Sequence, residues 1–149
     1  MASVEHSLKS SPEAVFAVLA DGWLYSNWVV GASHMRAVDP AWPAVGSKLH
    51  HASGVWPLVT RDESVVEEVV PNQRLVLRAK GGVLGEARVV IDLAPHEGGC
   101  VVTMSEVPVA GLGRRVHNRL TDAFLARRNH EALARLSAVA ERRAVPVEG

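Results

Sequence analysis

The fold of this chain is decided by its longest helix-forming stretch, which reads GRRVHNRLTDAFLARRNHEALARLSAVAERR from Gly113 to Arg143. The stretch has no proline, and its apolar residues recur at helical spacing, so it predicts one long amphipathic helix. Residues three or four positions apart share one face of that helix: Asn118, Asp122, Leu125, Asn129, Leu133, Leu136 and Ala140. The polar residues of this face all lie in its first half, which predicts a chamber beneath the helix. Most of the arginines lie off this face and are expected in solvent.

Length and charge narrow the class of protein. The chain has 149 residues, with 16 basic and 16 acidic side chains. A chain of this length buries a core with room for a modest cavity, and we expect one domain over residues 1–144 with a flexible tail at 145–149. The balanced charge excludes a general attraction to nucleic acid or anionic membranes. No apolar run is long enough for membrane insertion and no basic-then-apolar leader opens this sequence, so we expect a cytoplasmic protein.

The first thirty residues predict a strand and two short helices. Val4–Leu8 alternates between inward and outward positions, as a half-buried strand does. Ser11 and Pro12 are typical of a helix start, and Asp21-Gly22 ends that helix. Trp23–Val30 predicts the second short helix.

From His34 onward the pattern is that of strands joined by short turns. Short turns make neighbouring strands antiparallel. The predicted strands are Met35–Asp39, Ser47–Ala52, Leu58–Val70, Arg74–Lys80, Glu86–Leu93 and Cys100–Val107. The expected fold is therefore α+β, a curved antiparallel sheet wrapped around the long C-terminal helix, with two short helices near the N-terminus.

This order of elements resembles the helix-grip fold of the START and birch-pollen-allergen superfamily. It is most similar to the bacterial SRPBCC group of polyketide cyclase/dehydrase and lipid transport proteins. The residues that carry the resemblance are Ser11–Asp21, Trp28-Val29, Trp42–His51, Leu93–Pro95 before Gly98-Gly99, and Arg128–Leu133. The resemblance implies an elongated cavity between sheet and helix that accepts a hydrophobic or polycyclic small molecule, lipid- or polyketide-like. It supplies no catalytic residues, because the superfamily shares no catalytic pattern.

Strand alternation predicts which residues line this cavity. If the apolar residues of the central strands face inward, the same register applies to their neighbours. The inward set is then Leu49, His51, Leu77, Val89, Met104 and Glu106. A slip of one residue would place His50, Thr103 and Ser105 inside instead.

Three polar residues of this set and of the helix are candidates for acid-base chemistry. His51 is either a hydrogen-bonded core histidine or an anchor and general base for a ligand enol. Glu106 ends the last strand and Asp122 lies on the helix face above it, so the two carboxylates could share the chamber and move protons. Alternatively, Glu106 is solvated and Asp122 pairs with a nearby arginine.

Four further residues are candidates for ligand contact without chemistry. Trp28 and Trp56 offer a rigid surface and one donor to a flat ligand, although packing alone would also account for them. Asn118 and Asn129 can orient a bound carbonyl or hydroxyl group, or bond to backbone groups.

No metal and no cofactor are expected. Neighbours on a strand point to opposite faces, so the adjacent His50 and His51 cannot easily share an ion. Cys100 is the only cysteine of the chain, which excludes an internal disulfide and a cysteine cluster. Phosphate loops and nucleotide motifs do not occur.

Two functional hypotheses remain. The first is a carrier or sequestering protein for a hydrophobic small molecule, and the absence of a catalytic constellation favours it. The second is a polyketide cyclase or dehydratase that uses His51, Glu106 or Asp122 as general acid-base. Val116, Leu120 and Phe124 form a second apolar face, which would serve as a patch for a partner protein, as a dimer contact or as cover for the sheet edge. The chain is expected to be a monomer or a homodimer.

Overall fold

The computed structural model describes residues 2–30, 32–53, 60–80, 85–111 and 118–144. Its elements, in chain order, are β1 (Ala2–Leu8), α1 (Pro12–Leu19), a 3-10 turn (Gly22–Leu24), α2 (Tyr25–Trp28), β2 (Ala32–Val38), β3 (Lys48–Ser53), β4 (Thr60–Val70), β5 (Arg74–Lys80), β6 (Glu86–His96), β7 (Gly99–Ala110) and α3 (Arg119–Ala144). The predicted α+β helix-grip fold is confirmed.

The strands form one seven-stranded antiparallel sheet in the order β1-β7-β6-β5-β4-β3-β2. Strands β2 to β7 follow one another through short connections, and β1 closes the order by pairing with β7. The turn between β6 and β7 places Gly98 at a φ of 81°, a conformation that residues with a Cβ rarely adopt. The first and last strands of the chain are thus neighbours in the sheet.

The second short helix is shorter than predicted. Instead of one helix over Trp23–Val30, the chain forms the 3-10 turn and the single turn of α2, which ends at Trp28. Val29 is already extended, at φ −77° and ψ 121°. The β-branched pair Val29-Val30 favours extended backbone over helix, which explains the early end.

The long helix begins at Arg119 rather than at Gly113, and residues 112–117 lie outside the described part of the chain. The side-chain oxygen of Asn118 accepts a hydrogen bond from the backbone N–H of Thr121 at 3.0 Å. This contact satisfies one of the free donors of the first turn, so Asn118 is the N-cap. Among the described residues, no helix is both long and apolar enough to cross a membrane.

The core lies between the inward face of the sheet and α3, which also packs against α1 and α2. From Leu125 on, the predicted helix face is buried throughout. The inward register of the strands is confirmed, since all its members are buried: Leu49, His51, Leu77, Val89, Met104 and Glu106. Outward side chains form partly exposed ion pairs such as Arg74 with Asp92 and Arg78 with Glu86.

Truncation of Leu136 should show how much the fold depends on the second half of α3. Leu136 is fully buried, so Leu136→Ala leaves a cavity and should lower the free energy of unfolding by about 2–5 kcal/mol. Leu120 lies on the same helix with 82% of its surface exposed, and Leu120→Ala should change stability by less than about 0.5 kcal/mol. Chemical denaturation of both variants measures the difference. Equal losses would contradict the packing described here.

Candidate functional site

Polar side chains are buried beneath α3, where a purely structural core would be apolar. His51 on β3 and Asp62 on β4 are direct neighbours across the sheet, and Ser64 lies two residues further along β4. All three are buried, as is Glu106 on β7. Together with two residues from the helices they form what we call the polar cluster: Tyr25, His51, Asp62, Ser64, Glu106 and Arg128.

A hydrogen-bonded chain joins three residues of the polar cluster. The hydroxyl oxygens of Tyr25 and Ser64 are 3.0 Å apart, and the Ser64 hydroxyl lies 3.2 Å from Nε2 of His51. The rings of Tyr25 and His51 are also in contact, with centroids 5.1 Å apart. Ser64 therefore bridges a phenol and an imidazole in the interior.

Burial sets the protonation of both rings. It lowers the pKa of His51 below its ordinary value of 6.5, although the charge of Asp62 opposes the shift; Arg36 and His50 act in the same direction as burial. Burial also raises the pKa of Tyr25 above its ordinary value of 10.0. At neutral pH the hydrogen-bonded chain thus consists of a neutral imidazole, a serine hydroxyl and a neutral phenol.

Arg36 donates hydrogen bonds to the backbone of two residues of the polar cluster. Its Nε donates to the carbonyl of His51 and its terminal nitrogen to the carbonyl of Asp62, both at 3.2 Å. Because Arg36 lies on β2, these bonds tie three adjacent strands together where His51 is presented.

Glu106 is buried, so the prediction that its side chain is solvated is wrong. It is only 4% exposed, and its carboxylate accepts a hydrogen bond from Arg128 on α3 at 2.7 Å. Most of the arginines are expected in solvent, but Arg128 is an exception, because a long side chain next to the buried face of the helix can reach inward to pair with a buried carboxylate. The charges of Glu106 and Arg128 both act on the pKa of Tyr25, which Glu106 raises and Arg128 lowers.

Two buried side-chain nitrogens find no hydrogen-bond partner among the described residues, and we call them the unpartnered donors. They are Nε1 of Trp28, on α2, and Nδ2 of Asn129, on α3. Trp28 packs edge-on against Tyr25, with ring centroids 5.4 Å apart. Buried donors usually find a partner, so these two are exceptions that call for a reason.

The remaining predicted site residues divide into three groups. Leu49, Leu77, Val89 and Met104 form a buried apolar wall. Asp122 is half-buried, and Asn118 is exposed and caps α3, so we leave Asn118 out of the site. Trp56 lies outside the described residues.

Sequence reasoning missed four members of the polar cluster: Tyr25, Asp62, Ser64 and Arg128. Asp62, Ser64 and Val66 alternate along β4, so the inward register used for the other strands would have found the first two. Tyr25 precedes Trp28 by three residues, which is helical spacing. Within the described ranges, no three His, Cys, Asp or Glu side chains come together as a possible metal site.

Removal of Arg128 should leave a buried negative charge without its partner. We expect Arg128→Met to lower the free energy of unfolding by an amount near the lower end of the range of about 3–5 kcal/mol, because Arg128 keeps some exposure. Adding Glu106→Gln should restore most of that loss. The exposed pair of Arg135 and Glu131 provides the control, since Arg135→Met should change stability by less than about 1 kcal/mol. Denaturation at pH 7 would contradict the assignment if the double variant were no more stable than Arg128→Met.

The lowered pKa of His51 should make stability depend on pH. Below about pH 6.5 the unfolded chain binds a proton at His51 that the native state does not, so this group makes the free energy of unfolding fall as pH falls. Below its folded pKa the loss levels off. His51→Asn should therefore flatten the profile measured between pH 7.5 and pH 5, whereas His96→Asn, at an exposed position, should not. Identical profiles for the two variants would refute this.

This chain is similar to known proteins in sequence pattern and in fold. It matches the family described as polyketide cyclase / dehydrase and lipid transport over residues 1–141. No curated protein matches it.

Solved structures share the fold. A protein from Rhodobacter sphaeroides is 20% identical with a TM-score of 0.72, and the match covers 94% of this chain and 91% of that one. The di-domain ARO/CYC StfQ of the steffimycin biosynthetic pathway is 13% identical, with a TM-score of 0.71 and coverage of 95% and 50%. DynU16, from the dynemicin biosynthetic locus, is 19% identical, with a TM-score of 0.67 and coverage of 94% and 46%.

The chain spans about half the length of the last two proteins. At these identities the structural matches show the fold, and the family match shows more: this chain is a member of the polyketide cyclase/dehydrase and lipid transport family.

Proposed function

We propose that this protein binds a hydrophobic or polycyclic small molecule, lipid- or polyketide-like, between its sheet and α3, and carries or sequesters it in the cytoplasm. The observation that carries the proposal is the polar cluster, which is buried beside an apolar wall although packing alone requires no polar group there. Ligand sites in proteins commonly combine apolar walls with a few converging polar groups.

The two parts of the interior suit two parts of one ligand. The wall of Leu49, Leu77, Val89 and Met104 provides apolar contact for a carbon skeleton. Tyr25 supplies an aromatic face and a hydroxyl at the polar end. The family description names both polyketide cyclase/dehydrase and lipid transport, which is consistent with ligands of this kind.

Mass spectrometry of the natively purified and then denatured protein tests the proposal, together with thermal unfolding in the presence of lipids and polyketide-like aromatics. We expect a co-purified small molecule, or stabilisation by a panel member of about 2.7 kcal/mol at a concentration 100 times its Kd. Leu120→Ala, on the exposed side of α3, should bind as the wild type does. Recovery of no molecule together with no stabilisation by any panel member would contradict the proposal.

A second candidate function is a cyclase or dehydratase, and the Tyr25–Ser64–His51 chain favours it. When Tyr25 donates to Ser64 and Ser64 donates to Nε2 of neutral His51, a proton taken from a ligand enol by the Tyr25 oxygen can reach His51 through two hydrogen bonds. The ligand then becomes an enolate and His51 an imidazolium. Glu106 is held by Arg128 and Asp122 is only half-buried, so we assign the proton transfer to His51.

The recovered molecule distinguishes the two candidates. A carrier returns an added polyketide-like probe unchanged, whereas a cyclase or dehydratase returns it rearranged or without one water. Ser64→Ala interrupts the chain while keeping the apolar wall, so it should lower the conversion rate by about 10²-fold or more and leave the Kd nearly unchanged. If Ser64→Ala and the wild type converted the probe equally fast, the Tyr25–Ser64–His51 hydrogen-bonded chain would have no part in the reaction.

A further inference from the structure

We propose that the unpartnered donors, Nε1 of Trp28 and Nδ2 of Asn129, hydrogen-bond to oxygen atoms of the bound molecule and so select ligands that carry an uncharged acceptor oxygen. This inference rests on the proposed function, because it assumes a ligand in the interior. It goes beyond that function by naming the group that the ligand must present.

Both donors belong to side chains that are almost completely buried. Trp28 is 1% exposed and Asn129 is 2% exposed, and neither nitrogen has a partner among the described residues. A buried N–H without an acceptor destabilises the native state, whereas an apolar side chain of the same shape would not. Trp42 shows how the same fold satisfies a structural tryptophan, since its Nε1 donates to the carbonyl of Leu19 at 3.1 Å. Trp28 has no such acceptor within the described ranges of the chain.

Each donor neighbours a member of the polar cluster, Trp28 in space and Asn129 in the sequence. Trp28 packs against Tyr25, whose hydroxyl is already bonded to Ser64. Asn129 follows Arg128, whose guanidinium is bonded to Glu106, and its helix packs against α2. Both donors thus belong to the elements that carry the polar cluster, and that cluster's own bonds leave them unused.

Charge determines which oxygen atoms suit these donors. Arg128, which precedes Asn129 in the chain, is engaged by the buried carboxylate of Glu106. A ligand carboxylate placed here would meet a cation that is already neutralised and a like charge beside it. The oxygen of a ketone, quinone or phenol accepts hydrogen bonds without this repulsion. The donors therefore suit a neutral oxygenated ligand better than a fatty acid headgroup.

A matched pair of probes tests the selection. 9-Fluorenone and fluorene have the same tricyclic carbon skeleton, and only the ketone offers an acceptor oxygen. Calorimetry or fluorescence titration of the wild-type protein should show that fluorenone binds at least about tenfold more tightly than fluorene. Equal affinity would overturn the inference and leave the proposed function standing, whereas binding of neither probe would count against both.

Variants then assign the preference to the two donors. Trp28→Phe keeps an aromatic ring and Asn129→Leu keeps the size of the side chain, and each should lower the fluorenone preference by about threefold or more. Trp42→Phe and Asn27→Leu, the latter at an exposed position, should keep it.

Stability supplies an independent measurement. Asn129→Leu removes a buried amide nitrogen that has no partner among the described residues, so the ligand-free variant should unfold at a higher temperature than the wild type, whereas Trp42→Phe should unfold at a lower one. If Asn129→Leu is less stable than the wild type and keeps the preference, Nδ2 has a structural partner and the inference is wrong.

Discussion

The packing of the second half of α3 against the sheet is the contact on which the rest of the structure depends. Leu133, Leu136 and Ala140 are buried in the hydrophobic core. The helix packs against β1 and β7 of the sheet and against both short helices. Because the apolar half of α3 anchors the helix, its first half can carry Arg128 and Asn129 into the interior without losing its attachment.

Charge compensation is the second constraint, since an interior this apolar tolerates a charge only with its partner. Arg128 and Glu106 meet this condition across the gap between α3 and β7. His51 meets it by staying neutral, and the Tyr25 phenol by keeping its proton. The result is a buried ion pair beside two neutral rings, which is compatible both with holding a ligand and with moving one proton along the Tyr25–Ser64–His51 chain.

Much of the fold and part of the site could be predicted from local patterns. Period-two alternation placed Leu49, His51, Met104 and Glu106 on the inward face, because a strand allows only two faces. Helix boundaries were less predictable. The sequence between Gly113 and Asn118 has helix-forming composition, so the pattern predicted a start at Gly113. The N-cap instead lies at Asn118, five residues later, where its side chain accepts a hydrogen bond from the first turn of α3. Arg128 could not be predicted, because its inward reach depends on a carboxylate that lies on another element, 22 positions earlier in the chain.

The sequence by itself determined the α+β class, the antiparallel order of β2 to β7 and the face that each strand turns inward. These features follow from the spacing of apolar and polar residues that are close together in the chain, because helices and strands each have a fixed side-chain period. Only the tertiary structure decided that Tyr25, Ser64 and His51 form one hydrogen-bonded chain and that Glu106 is paired. It also decided that the N–H groups of Trp28 and Asn129 are buried without a partner in the described part of the chain. Hydrogen bonds and burial depend on distances between elements far apart in the chain, and no local periodicity contains those distances.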